Sequence, residues 1–291
     1  MNNAAIGIFD SGLGGLTVAR EIAEALPDES LMYVGDQARC PYGPRDSFEV
    51  QNFVQQIAGF LAAQGVKIIV IACNTATSCG LDVAEQHFEL PIIGVINAGA
   101  RAAVEATQTN IVAVIGTQRT IESAAYPKAM RELNAQIKVI GQATPELTTI
   151  VESGLEKEVA ECVQKRGEYY HLVESYLRPL LKHEPDTLLL GCTHYPVLME
   201  ALQTVAGKQV KIICSASEVA TEVKGFLTKW EQLAGVCTDS ENSAGKPKHI
   251  FYTTGNNREN FARLGSRIFG AKLDDVRQLD IEELTLEEQR P

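Results

Sequence analysis

The feature that most constrains this chain is a rhythm. Short apolar, β-branched runs alternate with helix-period segments, first across residues 6–96 and again across residues 111–213. Strands buried on both faces need such near-continuous apolar runs, and the helices between them are what cover those faces. The pattern therefore predicts parallel sheets in an α/β fold. The first series reads as strands at Ile6–Phe9, Leu31–Val34, Lys67–Ala72 and Ile92–Ile96, with helices such as Leu16–Ala25 and Ser47–Gln64 between them. The second reads as strands at Ile111–Gly116, Ile137–Gly141, Thr187–Gly191 and Val210–Ile213, with a long helical stretch from Leu155 to Lys182. In both, the first strand runs into a Ser/Thr-bearing loop and the third runs straight into a cysteine. The expectation is two similar doubly wound parallel-sheet lobes related by pseudo-symmetry, with the active site in the cleft between them.

After the second series come a helical segment, Ser217–Gln232, a polar break, Cys237–Lys248, a short strand, His249–Gly255, and a last helix. This tail is expected to pack back on the first lobe. The first lobe is then residues 1–97 plus 215–291, carrying Asp10 and Cys73. The second is residues 98–214, carrying Thr117, Cys192 and His194. The acidic end, EELTLEEQRP, reads as solvated surface.

Charge and cysteine usage exclude several functions. Lys plus Arg total 26 against 37 Asp plus Glu, a net charge of −11. That balance lacks the basic footprint of backbone-directed nucleic-acid binding, so no nucleic-acid partner is expected. No apolar run is long enough for a membrane span, and MNNAA leads into a strand without a secretory pattern, so the expected location is cytoplasmic. Seven cysteines, odd in number and scattered, read as free thiols in a reducing compartment rather than a disulfide framework.

Ligands of open α/β sheets bind at the carboxyl ends of strands where the strand order reverses. In a 2-1-3-4 order that point lies between strands one and three, which puts Asp10 beside Cys73 and Thr117 beside Cys192. His194, two residues past Cys192, would point to the thiol's side if the chain stays extended there. A free thiol titrates near about 8.5, so a cysteine base needs a helix N-terminus or a hydrogen-bond partner. Both cysteines stand at strand-to-helix junctions, and Asn74, Thr75 and Thr193 add neutral donors, a lining suited to a small carboxylate. Cys40, Cys79, Cys162, Cys214 and Cys237 read as small buried hydrophobes. The DSGLGG loop lacks the glycine spacing of a dinucleotide fingerprint, so neither nicotinamide nor flavin is implied. Cys192 and His194 lack a second ligand pair, so no metal is expected. Taken alone, RCPYGPRD (residues 39–46) reads as a rigid surface turn.

GIFDSGLGGLTV, YVGDQARCPYGPR, IACNTAT, GCTHYP and YTTGN, in that order, closely resemble the motifs of bacterial glutamate racemases, within the aspartate/glutamate racemase superfamily. The resemblance spans almost the whole chain. It implies a cofactor-independent isomerase of L- and D-glutamate, without pyridoxal, whose product feeds peptidoglycan synthesis. By the same resemblance Cys73 is the base on the D-glutamate side and Cys192 on the L-glutamate side, assisted by Asp10 and His194 respectively. Asp10, Ser11, Tyr42, Gly43, Asn74, Thr75, Thr117, Thr120, Thr193 and His194 match the residues that hold substrate. Two departures from the family pattern stand at Asn97-Ala98 and at Cys214. The expected partner is the small-molecule substrate, and a homodimer is the assembly to look for. The alternatives are a racemase for aspartate or another amino acid, and a non-catalytic bilobal anion-binding protein.

Overall fold

A computed structural model describes residues 2–156, 166–234 and 247–287. In chain order the elements begin β1 (Ile6–Asp10), α1 (Leu16–Ala25), β2 (Leu31–Gly35), α2 (Ser47–Ala63), β3 (Ile68–Ile71), α3 (Asn74–His87) and β4 (Ile92–Gly94). There follow α4 (Val95–Ala106), β5 (Ile111–Gly116), α5 (Gln118–Glu122), α6 (Ala125–Leu133), β6 (Lys138–Ala143), α7 (Pro145–Glu156) and α8 (Arg166–Leu181). Then come β7 (Thr187–Gly191), a 3-10 turn (Tyr195–Leu198), α9 (Met199–Ala206), β8 (Lys211–Cys214), α10 (Ala216–Lys229), β9 (Ile250–Thr253), α11 (Arg258–Phe269), β10 (Val276–Gln278) and α12 (Ile281–Glu287).

The chain divides into two compact units, Met1–Val95 with Ala216–Pro291, and Ile96–Ser215. Each is built on one sheet whose described pairings are all parallel. In the first the order is β10-β9-β2-β1-β3-β4, and in the second β6-β5-β7-β8. Both contain the 2-1-3-4 order that the sequence predicts. Every residue of β1, β3 and β7 is buried, as strands sandwiched between helix layers must be. β6 lies at the edge of its sheet and is correspondingly more exposed.

In the first unit α1 packs on α10 and α11, and α2 on α3. The tail completes this sheet, since β9 pairs with β2 and β10 with β9. A buried ion pair fastens it from below: Lys67 Nζ lies 2.5 Å from Glu29, with side chains 1% and 2% exposed. The same ammonium donates to the carbonyls of Asn2 and Gln232 at 2.7 and 2.8 Å, while Glu29 accepts the Ala234 N–H at 2.8 Å. Two carbonyls and an opposite charge thus surround the ammonium, which is what burying such a charge requires. In the second unit the Asp186 carboxylate clasps the turn before β5, accepting from the Thr107 and Thr187 hydroxyls and from the Gln108 and Thr109 N–H groups.

Several expectations need correction. The strand at 92–96 stops at Gly94, because Val95 already begins α4. The helical stretch from 155 to 182 is α8 preceded by the end of α7, with residues 157–165 outside the described chain. The acidic end is not merely solvated surface: α12 packs on α2 and buries Leu284 completely. Most of the polar break, with Cys237, and also Cys162, fall outside the described residues. Cys40, Cys79 and Cys214 are partly rather than fully buried. Among the described residues no helix is long and apolar enough to cross a membrane.

Candidate active site

In the first unit, β1 and β3 lie side by side and deliver Asp10 and Cys73 at their carboxyl ends. Asp10 is fully buried and its carboxylate accepts the Gly12 N–H at 2.9 Å, folding the DSG segment into an Asx turn. Gly15 permits that turn: a Cβ there would lie 2.4 Å from the Asp10 side chain and 2.9 Å from the Tyr33 hydroxyl. Cys73 caps α3. Its sulfur accepts the Ala76 N–H at 3.5 Å, so an unpaired donor of the helix start is aimed at the sulfur. The thiol also reaches the Ser11 hydroxyl at 3.8 Å. Asn74 and Thr75, in the first turn of α3, are buried beside it. The Tyr33 phenol donates to the Gly12 carbonyl at 2.7 Å. Burial, then the charges of Asp10 and Cys73, hold that phenol well above its ordinary range, so it is a fixed donor rather than a base.

The loop at residues 39–46 is more than a surface turn. Tyr42 and Gly43 are buried, and Tyr42 donates to the fully buried Asp36 carboxylate. The same carboxylate accepts from Arg39 Nε at 2.7 Å and from the Thr254 hydroxyl at 2.8 Å. Burial and the Asp36 charge keep the Tyr42 phenol protonated well past neutrality. Sequence reasoning missed Asp36; its position within the YVGDQARCPYGPR block is the one signal that could have raised it.

In the second unit β5 and β7 are neighbours and end at Gly116 and Gly191. Thr117 caps α5, accepting the Thr120 N–H at 3.3 Å, and the two hydroxyls lie 3.0 Å apart. Cys192, Thr193 and His194 are all buried. The Cys192 sulfur lies 3.5 Å from His194 Nδ1. The chain is not extended at His194, however: with φ −79 and ψ −28 it heads the 3-10 turn, and its ring reaches the sulfur by folding back rather than by strand alternation. Nor does Cys192 cap a helix as Cys73 does, because the Tyr195 N–H goes to its carbonyl at 3.2 Å. Beyond the predicted residues the structure adds Thr148, whose hydroxyl is 3.8 Å from the Cys192 sulfur, and Tyr195, whose phenol donates to the Thr144 carbonyl at 3.1 Å. Thr148 does not stand out in an unaligned sequence, whereas Tyr195 lies within the GCTHYP block, the one signal that could have raised it. Among the described residues no group of His, Cys, Asp and Glu is arranged to hold a metal ion.

Residues 6–223 match the model of the Asp/Glu/Hydantoin racemase family. The chain is similar to a glutamate racemase of Exiguobacterium sibiricum, 45% identical over 265 residues covering 91% of this chain and 92% of that one. Among solved structures it resembles glutamate racemase isoform RacE1 from Bacillus anthracis, with TM-score 0.87, 41% identity and coverage of 97% and 99%. It also resembles a Francisella tularensis glutamate racemase in complex with D-glutamate, with TM-score 0.83, 29% identity and coverage of 97% and 99%.

Proposed function

The chain belongs to the Asp/Glu/Hydantoin racemase family, and from that premise we propose that it interconverts L- and D-glutamate, with Cys73 and Cys192 as paired acid and base. The observation that carries this reading is the repeat itself. Each unit ends its third strand on a buried cysteine beside the end of its first, and each sulfur has a hydroxyl at 3.8 Å. Side-chain identity supports a small zwitterion as ligand: Ser11, Tyr42, Gly43, Asn74, Thr75, Thr117, Thr120 and Thr193 are neutral, and Asp10 supplies an acceptor for an ammonium.

The chemical task is to take a weakly acidic α-proton from carbon next to a carboxylate. The Cys73 thiolate removes it from D-glutamate, and the Cys192 thiol delivers a proton to the opposite face; L-glutamate runs the exchange in reverse. The protein's contribution is to hold each thiolate ready and to meet the developing charge with preoriented donors in a dry site. The α3 N-terminus does this for Cys73. His194 lies where it can take and return the Cys192 proton. Both sulfurs must stay reduced to work, which fits a cytoplasmic location. The product is then available as a D-amino acid for peptidoglycan synthesis.

Incubation in D2O with each glutamate enantiomer tests this. Deuterium is expected at the α-carbon of both enantiomers, with loss of optical rotation. Retention of the α-proton would point to an anion-binding protein, and exchange of aspartate in preference to glutamate to a different racemase.

A further inference from the structure

We propose that Thr148, on α7, is a positioning residue whose hydroxyl donates to the sulfur of Cys192 and holds its thiolate in place; the inference rests on the two-thiol reading above. The need for such a donor follows from how the two strands end. Cys73 opens a 14-residue helix and receives a backbone N–H on its sulfur. Cys192 precedes a 3-10 turn headed by His194, and the Tyr195 N–H there bonds to the Cys192 carbonyl at 3.2 Å rather than to its sulfur. Side chains are at hand to serve a thiolate there, His194 Nδ1 at 3.5 Å and the Thr148 hydroxyl at 3.8 Å.

Proton accounting assigns the Thr148 hydroxyl to that task. A hydroxyl has one proton to give. Helical threonines commonly give it to the carbonyl four residues back, as Thr204, Thr221 and Thr228 do here at 2.7, 3.0 and 2.7 Å. For Thr148 that carbonyl belongs to Thr144, and it already accepts the Leu147 N–H at 3.2 Å and the Tyr195 phenol at 3.1 Å, using both lone pairs. The other acceptor in reach is the Tyr195 phenol oxygen, with which Thr148 also hydrogen-bonds and which the Thr144 hydroxyl meets at 2.6 Å, that hydroxyl lying 3.3 Å from the Gly116 carbonyl as well. An anionic sulfur is the stronger acceptor of the two. The Tyr195 proton is committed to Thr144, so that phenol has none to offer. Thr148 is 8% exposed, so its hydroxyl is not diverted to bulk water. Among the described residues the titratable groups facing the sulfur are His194 on its own segment, Tyr195 at the 3-10 turn's start and Tyr126 of α6; Glu146 of α7 faces Tyr195.

The test is the pH profile of iodoacetamide alkylation at Cys192, resolved by peptide mass spectrometry in the full chain. Wild type is compared with Thr148→Val, Thr148→Ala and Thr148→Ser. The valine and alanine variants should move the Cys192 profile up by about one pH unit, making the sulfur about tenfold less reactive near neutrality. Serine should track wild type, and the Cys73 profile should stay put throughout. If the valine variant fails to fold, alanine against serine decides, since both lack the methyl and only one keeps the hydroxyl. Overlaid profiles, or serine shifting with alanine, would overturn the proposal. A shifted profile in a protein that racemises nothing would retain Thr148 as donor and remove the glutamate racemase reading, so the two failures are separable.

Discussion

The two units repeat one strand order yet equip their cysteines differently. Cys73 has a backbone donor, the N–H of Ala76 at the head of α3, beside the Ser11 hydroxyl, whereas the contacts described for the Cys192 sulfur are the side chains of His194 and Thr148. A backbone donor is nearly indifferent to sequence, because any non-proline residue supplies it. A side-chain donor can be gained or lost by one substitution. The same topology thus yields one thiol set by the fold and another set by residue choice.

The largest expected effect treats the two alike. Cys73→Ala and Cys192→Ala should each lower kcat/KM by about 10²–10⁴-fold with the fold unchanged by circular dichroism, since each removes an acid/base group. Appreciable activity in either would take that thiol out of the chemistry. The contrast sharpens with their partners. His194→Asn is expected to cost about a hundredfold, because Cys192 loses a proton partner. Ser11→Ala should cost only about threefold, because the Ala76 N–H still meets the Cys73 sulfur. Equal losses, measured as kcat/KM in both directions, would abolish the distinction.

How each unit is fastened extends the comparison. Lys67→Met strands Glu29 in the interior and should cost about 3–5 kcal/mol in urea unfolding, as breaking a buried pair does. In the second unit, burial pushes the Asp186 carboxyl up, but its hydrogen bonds to Thr107, Gln108, Thr109 and Thr187 prevail and bring it down to about 2. A depressed folded-state value means the stabilisation is fully present above the unfolded value of about 4 and is lost as pH falls toward 2. Asp186→Asn should therefore lower Tm at pH 7, with the gap to wild type closing by pH 2. A gap independent of pH would assign the clasp to geometry rather than charge.

The legibility of the sequence followed the same division. The strand order and the location of Asp10, Cys73, Thr117 and Cys192 at strand ends could be read because apolar runs and the switch-point rule for open α/β sheets depend on pattern alone. The rotation of His194 into a 3-10 turn could not, since a Pro196 two residues later signals a turn without fixing which atoms meet. Asp36, despite its place in a motif block, and Thr148 went unread for a related reason: a buried carboxylate and a helical threonine gain their meaning from partners far away in the chain, Thr254 and Cys192. The Leu284 anchor of α12 was hidden by the acidic residues around it.

The closing strands of the first sheet carry a consequence for biogenesis. Asp36, which holds Tyr42, completes its hydrogen bonding only through Thr254, 218 positions later in the chain. Sequence separation of that order slows the search for native contacts. On the ribosome the inserted unit, Ile96–Ser215, has all its described strands available before β9 emerges. The tyrosine loop therefore locks late, and a nascent chain cannot form a finished first half-site until translation has passed residue 254.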